Sequence, residues 1–183
     1  TIATTNVDNI VLDVADGTIN AVEIGNAKSL PVDKAVTVTI PVPDTIGKAA
    51  QNETLYVTHK SYVYTGKVDG TTGSYTLTFE NPHGFSEFTV SATNGAVAKI
   101  DDVAYATLQA AVNEVTGGQT ITLVGTLTAE QMTATVNEPK SFIVNYGENT
   151  ATGVNITAAS GLKFESDPAI DEKAKTITYT VIS

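Results

Sequence analysis

The sequence predicts an all-β protein of two domains: an immunoglobulin-like β-sandwich over residues 1–93 and a helix-capped β-domain over residues 94–183. Three observations predict it. Short segments that alternate apolar residues with Thr recur along the chain, each bounded by Gly, Pro, Asn or Asp, as in β-sandwiches. A single helical pattern interrupts them after residue 106. The segment TNG at residues 93–95 is the most suitable joint between the domains.

The first domain contains the most regular strand of the sequence, AVTVTIPV at residues 35–42. Its apolar residues occupy every second position, which predicts a strand with one buried face. Pro41 and Pro43 lack a backbone N–H, so the strand should end there or lie at a sheet edge. Further strands are predicted at residues 7–14, 54–60, 61–67, 74–80 and 85–92. The glycine-rich VDGTTG predicts a hairpin between residues 61–67 and 74–80, and NPHG at residues 81–84 predicts another turn.

The second domain begins with a predicted hairpin and the helix. AVAKI and VAYA flank Asp101-Asp102, a two-residue turn. Thr107 can cap the helix, because its hydroxyl can accept an N–H of the first turn. We expect Leu108 and Val112 to pack on the strand at residues 119–125, and Gly117-Gly118 to end the helix. The apolar stripe, which covers one face or one open end of the following sheet, consists of Leu108, Ala111, Val112 and Val115.

The later strands recur every ten to fifteen residues or so, although no exact internal repeat is visible. This recurrence fits either a short β-solenoid or a second sandwich. The strands are predicted at residues 119–125, 142–146, 153–158, 161–166 and 176–182.

Composition argues against several functions. The formal charge is −10 and every basic residue is Lys, so bidentate arginine contacts to phosphate are excluded and an acidic field opposes nucleic acid or an anionic membrane. The absence of Cys excludes disulfides and thiolate metal sites. No apolar run approaches the length that a membrane-spanning helix needs, about 20 residues, and we expect no transmembrane segment. The chain starts at Thr1 without Met, so we interpret it as a mature product or an excised piece.

The sequence offers no strong catalytic, cofactor-binding or metal-binding motif, and we assign none. His83 and Ser86 could belong to a catalytic triad, but no nucleophile elbow surrounds Ser86, and a hydrogen bond between them across a turn is the favoured interpretation. A glycosidase pair of carboxylates stays conceivable, but the chain has no Trp to support a sugar ring. Calcium could bind DVADG at residues 13–17 or Asp101-Asp102, although solvated turns are favoured. A Lys34–Asn81 isopeptide bond is a further hypothesis.

Two stretches resemble modules of secreted and surface-anchored, adhesin-like proteins of Gram-positive gut bacteria. Residues 35–90 resemble a β-sandwich whose pattern is a VTVTIPVP strand, a VYH strand and then TFxTxHFSxF. His59 stands in the second element, and His83, Phe85, Ser86 and Phe88 match the third, with Gly84 inserted after His83. Residues 103–125 are similar to the YATLQxAVxxAxxGxTITLL unit of the same proteins. The resemblance implies an extracellular or cell-surface protein with a binding or structural role.

We therefore expect a non-enzymatic extracellular module with a structural or adhesive role and no cofactor. One form of this hypothesis is a fibre or pilus-like subunit joined to copies of itself through its terminal strands. These are TIATTN at residues 1–6 and TITYTVIS at residues 176–183, both uncharged and rich in β-formers. The alternative is a stand-alone domain that binds a carbohydrate or a host protein.

Overall fold

The computed structural model describes residues 5–7, 11–13, 35–51, 53–83 and 88–183. The chain divides into two compact units, Thr1–Gly95 and Ala96–Ser183. Strands dominate both units, and the described residues hold two short α-helices. The predicted all-β, sandwich-like fold is confirmed.

The described residues of the first unit form seven strands, all paired antiparallel in the order β2-β3-β6-β5-β4-β7-β1. Strands β1 and β2 are at opposite ends of this order, yet only residues 8–10 separate them in sequence. An extended chain of that length spans at most about 14 Å, so the sheet curls until its edges approach each other. The strands are β1 (Thr5–Val7), β2 (Val11–Asp13), β3 (Val36–Pro41), β4 (Thr54–His59), β5 (Tyr62–Asp69), β6 (Thr76–Asn81) and β7 (Phe88–Ser91).

The core of the first unit comes from alternate residues of these strands. Strand β3 shows the pattern: Val38 and Ile40 are completely buried, whereas Thr37 and Thr39 face outward and bond to β6. The strand ends at Pro41 as predicted, but it is not an edge strand, because β2 and β6 pair on its two sides. The other core residues include Leu55, Val57, Val68, Leu77, Phe79, Phe88 and Val90.

Helix α1 (Asp44–Ala50) was not predicted, and the expectation of a single helix in the chain was wrong. It follows Pro43 and buries Gly47 and Ala50. A Cβ at Gly47 would overlap the ring of Tyr75, so the residue is small because the ring packs directly on the helix backbone. The local sequence contains too few apolar residues to show a helical stripe.

The second unit has a larger sheet in the order β9-β8-β10-β12-β16-β14, with β15 also paired to β16, and a separate sheet of β11 and β13. A 3-10 turn, Ala151–Gly153, precedes β13. Its other elements are β8 (Ala98–Ile100), β9 (Val103–Tyr105), α2 (Leu108–Glu114), β10 (Thr120–Leu123), β11 (Thr133–Val136), β12 (Lys140–Asn145), β13 (Asn155–Ala158), β14 (Lys163–Phe164), β15 (Ala169–Asp171) and β16 (Thr176–Ile182).

Two successive coils of a β-solenoid form the centre of the second unit. Strand β10 pairs in parallel with β12, with Thr120 beside Ile143, and β11 pairs in parallel with β13, with Thr133 beside Asn155. The number of residues between the two partners is almost the same in both pairs, and this number corresponds to one coil. Of the two architectures left open by the sequence, these two parallel pairings are the kind expected of a short β-solenoid.

Helix α2 begins as predicted and ends earlier than predicted. The hydroxyl of Thr107 accepts the N–H of Ala110 at 3.1 Å, which confirms the N-cap. The helix ends at Glu114, because Val115 is already extended, and not at Gly117-Gly118. Gly118, with φ of 84°, instead donates its N–H to Ser141 and so brings the chain alongside β12.

The Asp101-Asp102 hairpin is confirmed. Ile100 pairs with Val103 across the two-residue turn, and Asp101 has a φ of 51°. The left-handed conformation is one that Asp adopts more readily than β-branched residues do.

The C-terminal strand is an interior strand. Strand β16 pairs with β12 along one edge and with β14 and β15 along the other. Its donation to a second molecule would therefore break internal pairings with three strands. Of the N-terminal segment, Thr5–Val7 pairs with β7, and residues 1–4 lie outside the described residues. No helix in the described ranges is long and apolar enough to cross a membrane.

Candidate functional site

Both histidines of the chain lie at one end of the first unit, together with two tyrosines. Strand β4 ends at His59 and β5 begins at Tyr62, which pairs with it. Tyr64 lies on the same face two residues later, opposite Val57. His83 follows the end of β6. These four residues, the tyrosine–histidine cluster, contain all the imidazole groups of the chain.

His83 is held on several sides. Its ring stacks on Tyr62 with 3.5 Å between centroids and 1° between planes, and its Nδ1 lies 2.7 Å from the hydroxyl of Tyr64. Its backbone N–H donates to Oδ1 of Asn81 at 3.1 Å, and its carbonyl accepts from the ammonium of Lys60 at 3.1 Å. These contacts fix both the ring and the backbone of the turn.

His59 is completely buried under the sheet. Its ring stacks on Phe88 of β7, with centroids 4.5 Å apart and planes at 24°. Strand pairing explains the contact, because His59 and Phe88 are register partners on neighbouring strands. An imidazole without exposed surface cannot reach a substrate in solution.

The surroundings favour the neutral forms of two members of the cluster, His83 and Tyr64. Burial lowers the pKa of His83, and the nearby His59 and Lys60 lower it further. Burial raises the pKa of Tyr64 well above its ordinary value, with a smaller contribution from Tyr62. A neutral imidazole therefore shares a hydrogen bond with a neutral phenol. This pair stabilises the turn and provides neither an activated nucleophile nor a strong base.

The interpretation of His83 as a turn residue with Ser86 as its partner is not tested, because Ser86 lies outside the described residues. The ring partners that the structure does describe, Tyr62 and Tyr64, were missed by sequence reasoning. A signal existed in the alternation of the hairpin THKSYVY, which puts His59, Tyr62 and Tyr64 on one face. The turn that brings His83 over them could not be derived from that pattern.

A second candidate is an open groove of about 400 Å³ on the outer face of β4, β5 and β6. Its walls carry hydroxyls, one ammonium group and two carboxylates, which suit a polar ligand. Phe79, the only aromatic among the described lining residues, is 3% exposed and cannot serve as a platform for a sugar ring. The lining residues are Thr54, Thr65, Gly66, Lys67, Asp69, Thr78, Phe79 and Glu80.

The remaining candidates from the sequence are not brought together as sites. Asn81 is 1% exposed at the end of β6, but Lys34 lies outside the described residues, so the isopeptide hypothesis stays untested. Asp101 accepts a hydrogen bond from Gln119 at 3.3 Å. Residues 14–17 of the DVADG segment also lie outside the described residues. Within the described part of the chain, no group of three or more His, Asp or Glu residues could hold a metal ion.

No family model, curated protein or solved structure matches the chain. The fold and the packing of its own side chains are therefore the basis on which a function can be proposed.

Proposed function

We propose that this chain is a non-catalytic extracellular module with a structural or adhesive role at a bacterial surface. The observation that carries the proposal is the packing of the tyrosine–histidine cluster. His59 is sealed under the sheet, and His83 is stacked and hydrogen-bonded within its turn. The side chains best suited to acid–base chemistry at neutral pH thus stabilise the fold.

The cluster also explains why the surface-protein motif would contain histidines. In the resemblance, His59 and His83 occupy the VYH and HFSxF positions. In this structure the first packs on Phe88 and the second on Tyr62. Both roles are structural, which agrees with a family whose shared residues belong to cores and turns.

The second unit supports a scaffold role. Its two solenoid coils join strands through backbone hydrogen bonds, and α2 covers one end of them. Such a stack presents an extended surface without needing a deep cleft. Scaffolds of this kind suit display or adhesion.

The proposal is tested by labelling intact cells of the source bacterium with antibodies raised against the purified chain. Surface labelling without permeabilisation is the expected result. Labelling only after lysis would contradict the extracellular role. A hydrolytic activity of the purified chain that disappears in His83→Phe would contradict the non-catalytic role, because this change keeps an aromatic ring for Tyr62 and removes only the imidazole.

The polar groove on β4, β5 and β6 favours a second candidate function, the binding of a carbohydrate or a polar protein segment. Among the described residues that line the groove, Lys67 is the one cation. If the groove binds a glycan, Lys67→Ala should weaken binding on a glycan array, whereas Lys48→Ala on the exposed side of α1 should not. Equal binding by the two variants would exclude the groove as the site.

A further inference from the structure

The outer edge of strand β13 has the features of a site for strand addition. Asn155 and Ala159, at the start and just past the end of β13, donate their N–H groups to the carbonyls of Met132 and Val136, just before and at the end of β11, at 2.9 Å each. Alternation along the strand then directs the N–H and C=O groups of Ile156 and Ala158 away from β11. Within the described part of the chain, no strand pairs with that edge.

The opposite edge of the same sheet is closed. The side-chain amide of Gln109 on α2 bonds to both backbone groups of Thr135 in β11, at 2.7 and 2.9 Å. The two-stranded sheet is thus capped on the β11 side by its own helix, and no equivalent cap on β13 is found among the described residues. Edges of soluble monomers usually carry Lys, Pro or a bulge that prevents pairing.

The segment around β13 lacks such protection. Residues 149–162 include no charged side chain and no Pro, although the chain as a whole has a net charge of −10. Two copies could therefore bring these segments together without placing like charges opposite each other. Thr157 is exposed on the outer face, where its hydroxyl lies 3.1 Å from that of Thr135.

We propose that β13 pairs antiparallel with β13 of a second copy of this chain, around a two-fold axis at Thr157. In this register Ile156 of each copy lies opposite Ala158 of the other, and their outward backbone groups match as donor and acceptor. The row of Thr135 and Thr157 hydroxyls continues into the second copy. The contact is isologous and closes as a dimer, so it gives no open fibre.

Only a short strand meets its copy in this contact, which makes it a small interface and the dimer a weak one. We expect monomer at about 10 μM and a rising share of dimer towards about 1 mM in sedimentation experiments. This partner deepens the proposed structural role and rests on it. Dimerisation is measured on the purified chain, whereas cell labelling tests the surface role, so failure of one is distinguishable from failure of the other.

Cysteine substitution tests the register, because the natural chain has no Cys. Thr157 would face its own copy as a non-hydrogen-bonded pair, with Cα atoms about 4.5 Å apart, within the range that a disulfide spans. Thr157→Cys should form a covalent dimer on air oxidation. The matched control, Thr135→Cys, lies on the same face one strand further from the axis and should not. The proposal would be overturned if the two variants cross-linked to the same extent, or if neither of them cross-linked.

Two further variants test the edge itself. Ala158→Pro in the Thr157→Cys chain removes an outward N–H but no bond to β11, and should abolish the cross-link. Thr157→Lys places two positive charges opposite each other, and should keep the chain monomeric while Thr135→Lys still dimerises. Thr157→Lys leaves the backbone pairing of β13 with β11 intact, so this variant tests the proposal even if the Pro variant fails to fold. Dimers of Thr157→Lys at the concentration at which the natural chain dimerises would overturn the proposal.

Discussion

The side chain of Gln109 bonds to Thr135 as a neighbouring β-strand would. Its Nε2 donates to the Thr135 carbonyl at 2.9 Å, and its Oε1 accepts the Thr135 N–H at 2.7 Å. One residue of helix α2 thus satisfies a donor and an acceptor at the edge of β11. Because unpaired edge groups can recruit other chains, this pairing both anchors the helix and closes the solenoid at that end.

Gln109→Ala should lower the free energy of unfolding by about 1–3 kcal/mol, because it leaves the backbone groups of Thr135 without their protein partners. The control is Asn113→Ala, since the exposed Asn113 accepts from the same Nε2 at 2.8 Å. Urea denaturation of both variants checks the prediction. Equal losses of unfolding free energy in the two variants would show that the bonds from Gln109 to Thr135 do not contribute to stability.

Local features of helix α2 were predictable, and its partner was not. The Thr107 cap and the burial of Leu108 and Val112 follow from short-range pattern alone. The helix packs mainly on β11 and to a smaller extent on β10, the strand at residues 119–125 that the sequence pattern favoured. Strand β11 begins only at Thr133, well beyond both the helix and β10 in sequence. Its position over the helix depends on how the solenoid coils, which no local pattern reports.

Leu108→Ala should lower the free energy of unfolding by about 2–5 kcal/mol, because Leu108 is 1% exposed and its truncation leaves a cavity. Glu114→Ala on the same helix is the control, since Glu114 is exposed and Ala is a good helix former. Thermal melts followed by circular dichroism give the comparison. An unchanged melt for Leu108→Ala would refute the packing.

Lys140 should contribute to stability through its bonds to the end of α2. Its ammonium donates to the carbonyls of Val112 and Val115 at 3.0 and 3.1 Å, and its side chain is 7% exposed. Lys140→Met keeps much of the volume and removes these bonds, at a cost of about 1.5–3 kcal/mol in the free energy of unfolding.

Glu138→Gln is the matched control for Lys140. Glu138 forms an ion pair with Lys140 at 2.8 Å, but its side chain is 66% exposed. Exposed ion pairs contribute little, so this variant should unfold at nearly the same urea concentration as the natural chain. A larger loss from Glu138→Gln than from Lys140→Met would mean that the ion pair, and not the helix carbonyls, holds the ammonium.

The two solenoid coils show what the sequence pattern could not reveal. Gly125 and Gly147 follow the first strand of each coil, both at positive φ, and their separation along the chain matches that of Thr133 and Asn155. These glycines are the last residues of the segments TITLVG and FIVNYG, which form a weak repeat. The repeat is hard to see in the sequence because strands pair through backbone groups, which all residue types except Pro can supply. The outward-facing side chains of the two coils can therefore differ. Element type was therefore predictable, whereas coil register was not.

Asp101 should be sensitive to the shape of its replacement. At φ of 51° a β-branched side chain meets the backbone, so Asp101→Val should lower the free energy of unfolding by about 1–2 kcal/mol. Asp101→Gly should have little effect, because Gly adopts this conformation without strain. Asp102→Val is the control at the neighbouring turn position, where φ is not positive. Equal melting temperatures for both Val variants would contradict the assigned turn.

His83 should make the stability of the chain depend on pH. Its pKa in the folded chain lies below the ordinary value of about 6.5, because burial and the nearby His59 and Lys60 disfavour the imidazolium. The unfolded chain therefore takes up a proton at a higher pH than the folded chain does. The free energy of unfolding is then fully retained above about pH 6.5 and falls as the pH drops from there towards the folded pKa. Protonation would also disturb the bond to Tyr64 if Nδ1 is its acceptor.

His83→Phe keeps a ring to stack on Tyr62 and removes the titrating group. Urea denaturation at about pH 7.5 and about pH 5 should show a smaller loss of stability on acidification for this variant than for the natural chain. Carboxylates titrate in both proteins, so their contribution cancels in the difference between the two losses. An equal loss in the two proteins would mean that His83 binds its proton as readily in the fold as in the unfolded chain. The assignment of His83 as a stacked, neutral imidazole in the tyrosine–histidine cluster would then be wrong.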